Sequence, residues 1–308
     1  MTSEQPPDKP VEQRRLVLLA NDAFRARRRP LAIVLVWAYE MLLAAQLVWP
    51  AAAYESNAYG GSPHGDAPLF RPGGLALADL VLRARPVLAA LGAHVTPLLG
   101  LGVVLGLVPV AFLLVEIGHV TPARRVPPLA LALPRAWAAF PRFLALLLAA
   151  GFLQGLVLLV GLLLAGGIAD ASAGGLGDAR SQQLGAVVFA IFAGVAATIG
   201  IVQDLARAAA IRFDVGAVRA ARLGWSALRR GVTATAWSWA WRGAIAVVPI
   251  AVAAVLSTKL GGREGAALWV IGAIHQLVIL ARVALRASWL AKALRVVDGA
   301  HRVMRAGD

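Results

Sequence analysis

The chain contains no cysteine. That absence excludes disulfides, thiolate nucleophiles, cysteine-held iron–sulfur clusters and zinc–thiolate sites together. Charge is scarce as well, at 15% of residues against about 25% in ordinary soluble chains. The nucleotide and hydrolase signatures GxxxxGK[ST] and GxSxG are missing, and no GxGxxG follows a strand and opens a helix. The five histidines are dispersed: His64, His94 and His119 fall in different loops or edges, and no HExxH spacing occurs. Haem would need two histidines facing each other at matched depth, and His275 alone lies deep in an apolar stretch. No metal or cofactor is expected.

What is abundant is apolar. Hydrophobic residues make up 59% of the chain and the mean hydropathy is +0.73. A spanning helix needs about 20 mostly apolar residues. Six stretches qualify: 31–49, 95–117, 143–168, 184–202, 236–257 and 266–290. The expected fold is an all-α polytopic membrane bundle of about six transmembrane helices. Residues 31–290 form its single domain, between a basic N-terminal tail (1–30) and a C-terminal tail (291–308). Residues 1–13 are polar and proline-rich and are expected to be disordered. Ala51-Ala52-Ala53 offers small residues after the first run, as a signal peptidase site would. The length of that run and of its leader favours an uncleaved span.

The formal net charge of +14 invites a nucleic-acid reading, since basic patches neutralise phosphates. Its distribution gives another reason. Segments 1–30, 118–142, 203–242 and 281–308 hold 24 of the 30 Lys and Arg residues, and the intervening loops hold 6. Insertion leaves Lys and Arg on the cytoplasmic side, so both termini are expected to be cytoplasmic, in a bacterial inner membrane, with no nucleic-acid partner. Arg25, Arg27, Arg28 and Arg29 precede the first span, and Pro30 suits its first turn. Trp37, Trp49, Trp137, Trp225, Trp237, Trp239, Trp241, Trp269 and Trp289 gather near span boundaries and mostly fit interfacial belts. Each odd span follows a basic–aromatic entry, and Glu116 and Asp204 close two even ones, a grammar consistent with three hairpin repeats.

An ionisable residue within a span marks a functional hypothesis, because charge at mid-bilayer costs at least about 2.5–3.5 kcal/mol. Glu40, His275 and Gln276 lie at similar depth, so Glu40 could meet either partner, as a proton-coupled pair or as a bundle-ordering hydrogen bond. Arg242 could snorkel toward water or pair with Asp204, and Arg282 and Arg286 read the same way. Gln46 and Gln154 are expected to join helices. Gly102/Gly106 and Gly151/Gly155 are small-xxx-small pairs that permit close helix approach, and Pro109 and Pro249 should bend their helices.

The connection 204–231 carries Ile211, Val215, Val218 and Trp225 within about 80° of a helical wheel. Arg212, Arg219 and Arg230 flank this stripe, the pattern of a basic amphipathic helix on anionic headgroups, while Arg222 and Arg229 fall on its apolar side and leave it imperfect, with a break expected at Gly224. The outer stretch 75–93 could form a second interfacial helix, interrupted before Pro86. Ala206-Arg207 and Gly216 also match part of the signature of membrane CDP-alcohol phosphotransferases. That family holds its metal ions with four aspartates, and here Val202, Ala220 and Gly224 stand at three of those places, so the match carries no chemistry.

The passage DLARAAAIRFDVGAVRAARLGWSALRRG, with its Asp204-x-Ala-Arg207 motif leading into the amphipathic connection, resembles uncharacterised bacterial six-helix membrane proteins. The outer GGLALADL (73–80) and the ending 276–290 look similar too. In style these resemble the membrane domains associated with glycerophosphodiester phosphodiesterases. The resemblance implies a fold and a location but no reaction, because no soluble phosphodiesterase domain accompanies it. The leading expectation is a non-enzymatic membrane protein that organises protein partners or anionic lipids. The main alternative is a transporter or permease subunit using Glu40, His275 and Arg242. A membrane enzyme acting on lipid ranks third.

Overall fold

The computed structural model describes residues 29–59, 85–118, 129–260 and 266–307, together with Ala26 and Leu82. Expectations placed on residues 1–13, on Arg25, Arg27 and Arg28, on His64 and His119, and on the outer stretch 73–80 lie outside the described residues.

The described chain is helical, without a strand among the described residues. Its elements are α1 (Pro30–Tyr59), α2 (Arg85–Leu105), α3 (Leu107–Gly118), α4 (Leu129–Leu176), α5 (Asp178–Phe213), α6 (Ala217–Arg229), α7 (Val232–Leu260) and α8 (Ala266–Gly307). Among the described residues, five segments are long and apolar enough to cross a membrane: Val95–Gly118, Leu131–Gly175, Asp178–Phe213, Val232–Leu256 and Trp269–Val303. Pro30–Gln46 in α1 adds a shorter apolar stretch. The protein is an all-α membrane protein.

Local chemistry explains the boundaries. Pro30 opens α1, where its missing N–H would have no intrahelical partner anyway. Near Pro109 the helical ladder is interrupted. Proline there cannot donate to the carbonyl of Leu105, and its ring crowds that carbonyl. The helix therefore divides at Gly106, with α2 ending at Leu105 and α3 starting at Leu107. Pro249 lies within α7, which continues through it. Between α5 and α6 the chain turns at Asp214, which adopts a left-handed conformation (φ 49°) that Asp tolerates.

Helices overrun their apolar cores. α4 has 48 residues and α8 has 42, roughly 72 and 63 Å of helix at 1.5 Å per residue. Crossing about 30 Å of hydrocarbon takes about 20 residues. Residues 291–307, read above as a tail, continue α8 without interruption, and Ala291, Ala293, Leu294 and Val297 are buried.

The described residues divide into two compact units. One comprises Leu114–Trp239 and Trp289–Asp308, the other Ala26–Leu113 and Ala240–Ser288. In the second, Tyr39 donates its hydroxyl to the Gly102 carbonyl at 2.7 Å, and a Cβ on Gly102 would stand 2.6 Å from Leu43 Cδ1. Gly102 thus lets α1 and α2 approach, as its motif suggested. In the first unit the α4–α5 hairpin uses other glycines than expected. Cβ atoms on Gly151 or Gly155 would meet nothing within 4 Å. Gly161 and Gly185 make the close contacts, a Cβ there reaching Phe192 Cβ at 2.5 Å and the Ala165 carbonyl at 2.8 Å. Gln154 joins the helices as expected, donating to the Ala196 carbonyl at 2.9 Å.

Candidate functional site

Where α5 leaves its apolar stretch, residues 204–210 are all buried. A helix presents every direction within seven residues, so this segment is enclosed on all sides. Asp204 and Arg207 belong to it, at 3% and 7% exposure. Buried charges cost several kcal/mol each unless geometry and hydrogen bonds compensate, and here the partners are specific. Trp289 of α8 donates its indole N–H to Asp204 Oδ2 at 2.8 Å, and Arg207 Nη1 donates to Oδ1 at 3.4 Å. The Arg207 guanidinium also lies 5.8 Å from the centroid of Phe143 on α4, within cation–π range. The i,i+3 spacing of the Asp-x-Ala-Arg motif puts both charges on one face of α5, where they join α4, α5 and α8. Trp289, at 2% exposure, is therefore no belt residue. Trp49, Trp137, Trp225, Trp237 and Trp269 remain exposed as a belt requires.

A second polar cluster follows farther along the same helices. Arg212 Nε donates to Asp298 Oδ1 at 2.9 Å, and Arg302 Nη2 donates to Oδ2 at 2.6 Å. Arg230 donates to the Ala300 carbonyl. Two of the three expected headgroup arginines, Arg212 and Arg230, are thus engaged within the protein, while Arg219 is exposed.

The amphipathic stripe differs in composition from the sequence reading. Ile211 belongs to α5, so a single wheel through Ile211, Val215, Val218 and Trp225 does not exist. Gly224 is no break. It lies within α6, where a Cβ would stand 2.8 Å from the Ala206 nitrogen and 3.0 Å from the Val202 carbonyl oxygen. The packed face of α6 is small: Ala220, Gly224, Ala227 and Leu228 are buried. The opposite face carries Val218, Arg222, Trp225 and Arg229, at i, i+4, i+7 and i+11, within about 60° of one another on the wheel. All four are exposed, Val218 at 69% and Trp225 at 50%. Arg222 and Arg229 were read as flaws in the stripe; in the folded protein they are its charged members.

The positions compared above with the metal-binding aspartates do converge, since Gly224 meets Val202 and Ala206. What converges is backbone and small side chains, a close helix crossing without a carboxylate at those three places.

In the other unit, Arg242 donates to Ser288 Oγ at 3.2 Å and stacks 4.5 Å from the Trp241 ring centroid. Arg282 and Arg286, rather than neutral groups alone, are the charged neighbours of Glu40. His275 is exposed, and its Nδ1 lies 2.9 Å from the Ile271 carbonyl of its own helix. Gln276 is half-buried, and Gln46 is exposed. The chain matches no protein-family model, no curated protein and no solved structure.

Proposed function

We propose that this is a non-enzymatic multi-pass protein of a bacterial inner membrane that organises anionic lipids, and the proteins associated with them, at the cytoplasmic face. The observation that carries the reading is the outward face of α6, where Val218 and Trp225 alternate with Arg222 and Arg229. Apolar and indole groups settle at the headgroup boundary, and arginines there attract anionic lipid with about 1 kcal/mol each. The opposite face of α6 is committed to α5 through Gly224, so the stripe is available for lipid. Charge asymmetry supports the cytoplasmic placement. We also propose kinship with the six-helix family resembled by Asp204-x-Ala-Arg207, a motif whose buried place here gives it a structural role.

The test replaces Arg219, Arg222 and Arg229 by Gln and counts phosphatidylglycerol retained by the detergent-purified protein in native mass spectrometry. Retention should fall several-fold with the melting temperature unchanged. Undiminished retention would overturn the assignment of α6.

A second reading, a transporter or permease subunit, is favoured by Glu40, a carboxyl within an apolar helix that feels the charges of Arg282 and Arg286. It requires flux in proteoliposomes that Glu40→Gln abolishes without lowering the melting temperature. A lowered melting temperature, with no flux in the native protein, assigns Glu40 to structure.

A further inference from the structure

The start of α4 places Arg135, Ala138, Ala139 and Arg142 at i, i+3, i+4 and i+7, on one face. The two alanines leave space between the two arginines. The end of α3, at Val115 and Gly118, and the last turn of α5, at Ala210, Ile211 and Arg212, surround that space, with Asp214 beyond them. The result is a cavity of about 560 Å³, a size typical of small-molecule sites. Arg135 and Asp214 are exposed, so it is reached from outside.

Its lining is charged on one side and apolar on the other. Three arginines face a single carboxylate, Asp214, which is bonded to Arg142. Arg212 is held in place by Asp298, a carboxylate that Arg302 also shares. Each guanidinium carries five N–H donors in a planar fork that matches phosphate oxygens. The net charge of the lining, close to +2, complements a phosphate monoester, which carries about −1.5 to −2 at neutral pH. The apolar wall of Val115, Ala138, Ala139, Ala210 and Ile211 leaves room for more than the phosphate group. Arg142 immediately precedes the apolar run of α4, and Gly118 closes that of α3, so the cavity lies where the apolar stretches end.

We infer that this cavity binds an organic phosphate monoester, its phosphate held by Arg135, Arg142 and Arg212 and its organic part against the apolar wall. Asp214 acts as a built-in competitor, occupying Arg142 until the phosphate arrives. The site uses none of the outward residues of α6, so it stands or falls independently of the function proposed above. Two sources share this chemistry: a phosphomonoester lipid such as phosphatidate, and a soluble compound such as glycerol 3-phosphate.

The test titrates the full-length protein in detergent with glycerol 3-phosphate, and separately with phosphatidate in mixed micelles against phosphatidylcholine, by calorimetry. Binding of the first probe identifies a soluble source, and binding of phosphatidate alone a lipid source. In either case Arg135→Gln should weaken binding roughly tenfold. Asp214→Asn, which keeps the left-handed turn but releases Arg142 from an exposed ion pair, should tighten it about two- to fivefold. The opposite effects of the two variants separate a ligand site from a folding defect. No binding of either probe, or binding indifferent to both substitutions, overturns the inference, even where phosphatidylglycerol retention through α6 is intact.

Discussion

Helix α5 lives in two environments, and its two halves invert each other's burial. Along its apolar run, Val187, Ile191 and Val195 are 59%, 63% and 47% exposed. A few turns later Asp204 and Arg207 are buried, with every residue of 204–210 covered. In water the reverse is expected, with apolar groups inside and charges outside. The inversion is resolved if the exposed apolar half faces lipid tails, which solvate Val and Ile as well as protein does. The covered half needs protein around it because it has left the hydrocarbon. α4 and α8 repeat the contrast. Only 17% and 11% of their most apolar windows are buried, whereas Ala132, Ala136, Ala139 and Phe143 of α4 and residues 289–291 of α8 pack tightly. The Arg-rich ends therefore carry a core of the soluble kind, and the spans carry much less of one. That is also why α4 and α8 are so long.

The largest loss of stability is expected at the buried charges of α5. Asp204→Ala removes the buried carboxylate that Arg207 and the Trp289 indole both bond, and should cost about 3–5 kcal/mol. Ile191→Ala, on the same helix, should stay within about 0.5 kcal/mol, because it faces lipid or detergent rather than protein. Thermal melting of the two variants in one detergent measures the difference. Equal losses would show that both halves of α5 are packed alike, and the division drawn here would fall.

A smaller effect tests how α6 is held. A Cβ on Gly224 would press on the Ala206 backbone, which cannot rotate away as a side chain can. Gly224→Ala should cost about 1–3 kcal/mol as overpacking, despite the better helix propensity of alanine. A gain in melting temperature would mean that α6 does not rest on α5 through this residue.

How far the sequence disclosed these features depended on the physics behind each. Periodicity and length located the spans closely, because a 20-residue apolar run has few alternatives. The expected 184–202 lies within Asp178–Phe213 and 236–257 within Val232–Leu260. The continuation of α8 was missed, since Arg295 and Arg302 in a basic ending look like a tail until Asp298 is known to bind Arg212 and Arg302. Asp204 was singled out for being polar at a span edge. Its partner was not legible, because Trp289 lies 85 residues away and tryptophan at a boundary ordinarily reads as belt. The stripe on α6 was half legible. Val218 and Trp225 were found, but drawing the wheel through the turn at Asp214 misplaced its phase and made Arg222 and Arg229 look like defects. The cavity was invisible, since it depends on two small alanines and on helix ends brought together by tertiary packing.

The smallest expected effect concerns glycines within the spans, where the two environments can be told apart by one methyl group. Gly155 and Gly161 lie on the same helix, less than two turns apart. A Cβ on Gly161 would meet Phe192 Cβ at 2.5 Å, whereas one on Gly155 would meet nothing within 4 Å. Gly161→Ala must therefore push α5 away, with a loss in the range set for Gly224. Gly155→Ala meets only lipid and should gain up to about 1 kcal/mol from helix propensity. Melting in detergent checks the sign of each. If Gly155→Ala instead destabilises the protein only when it is assayed in native membranes, that face of α4 packs against another protein there. The lipid-facing half of the comparison would then be narrower than the isolated chain indicates.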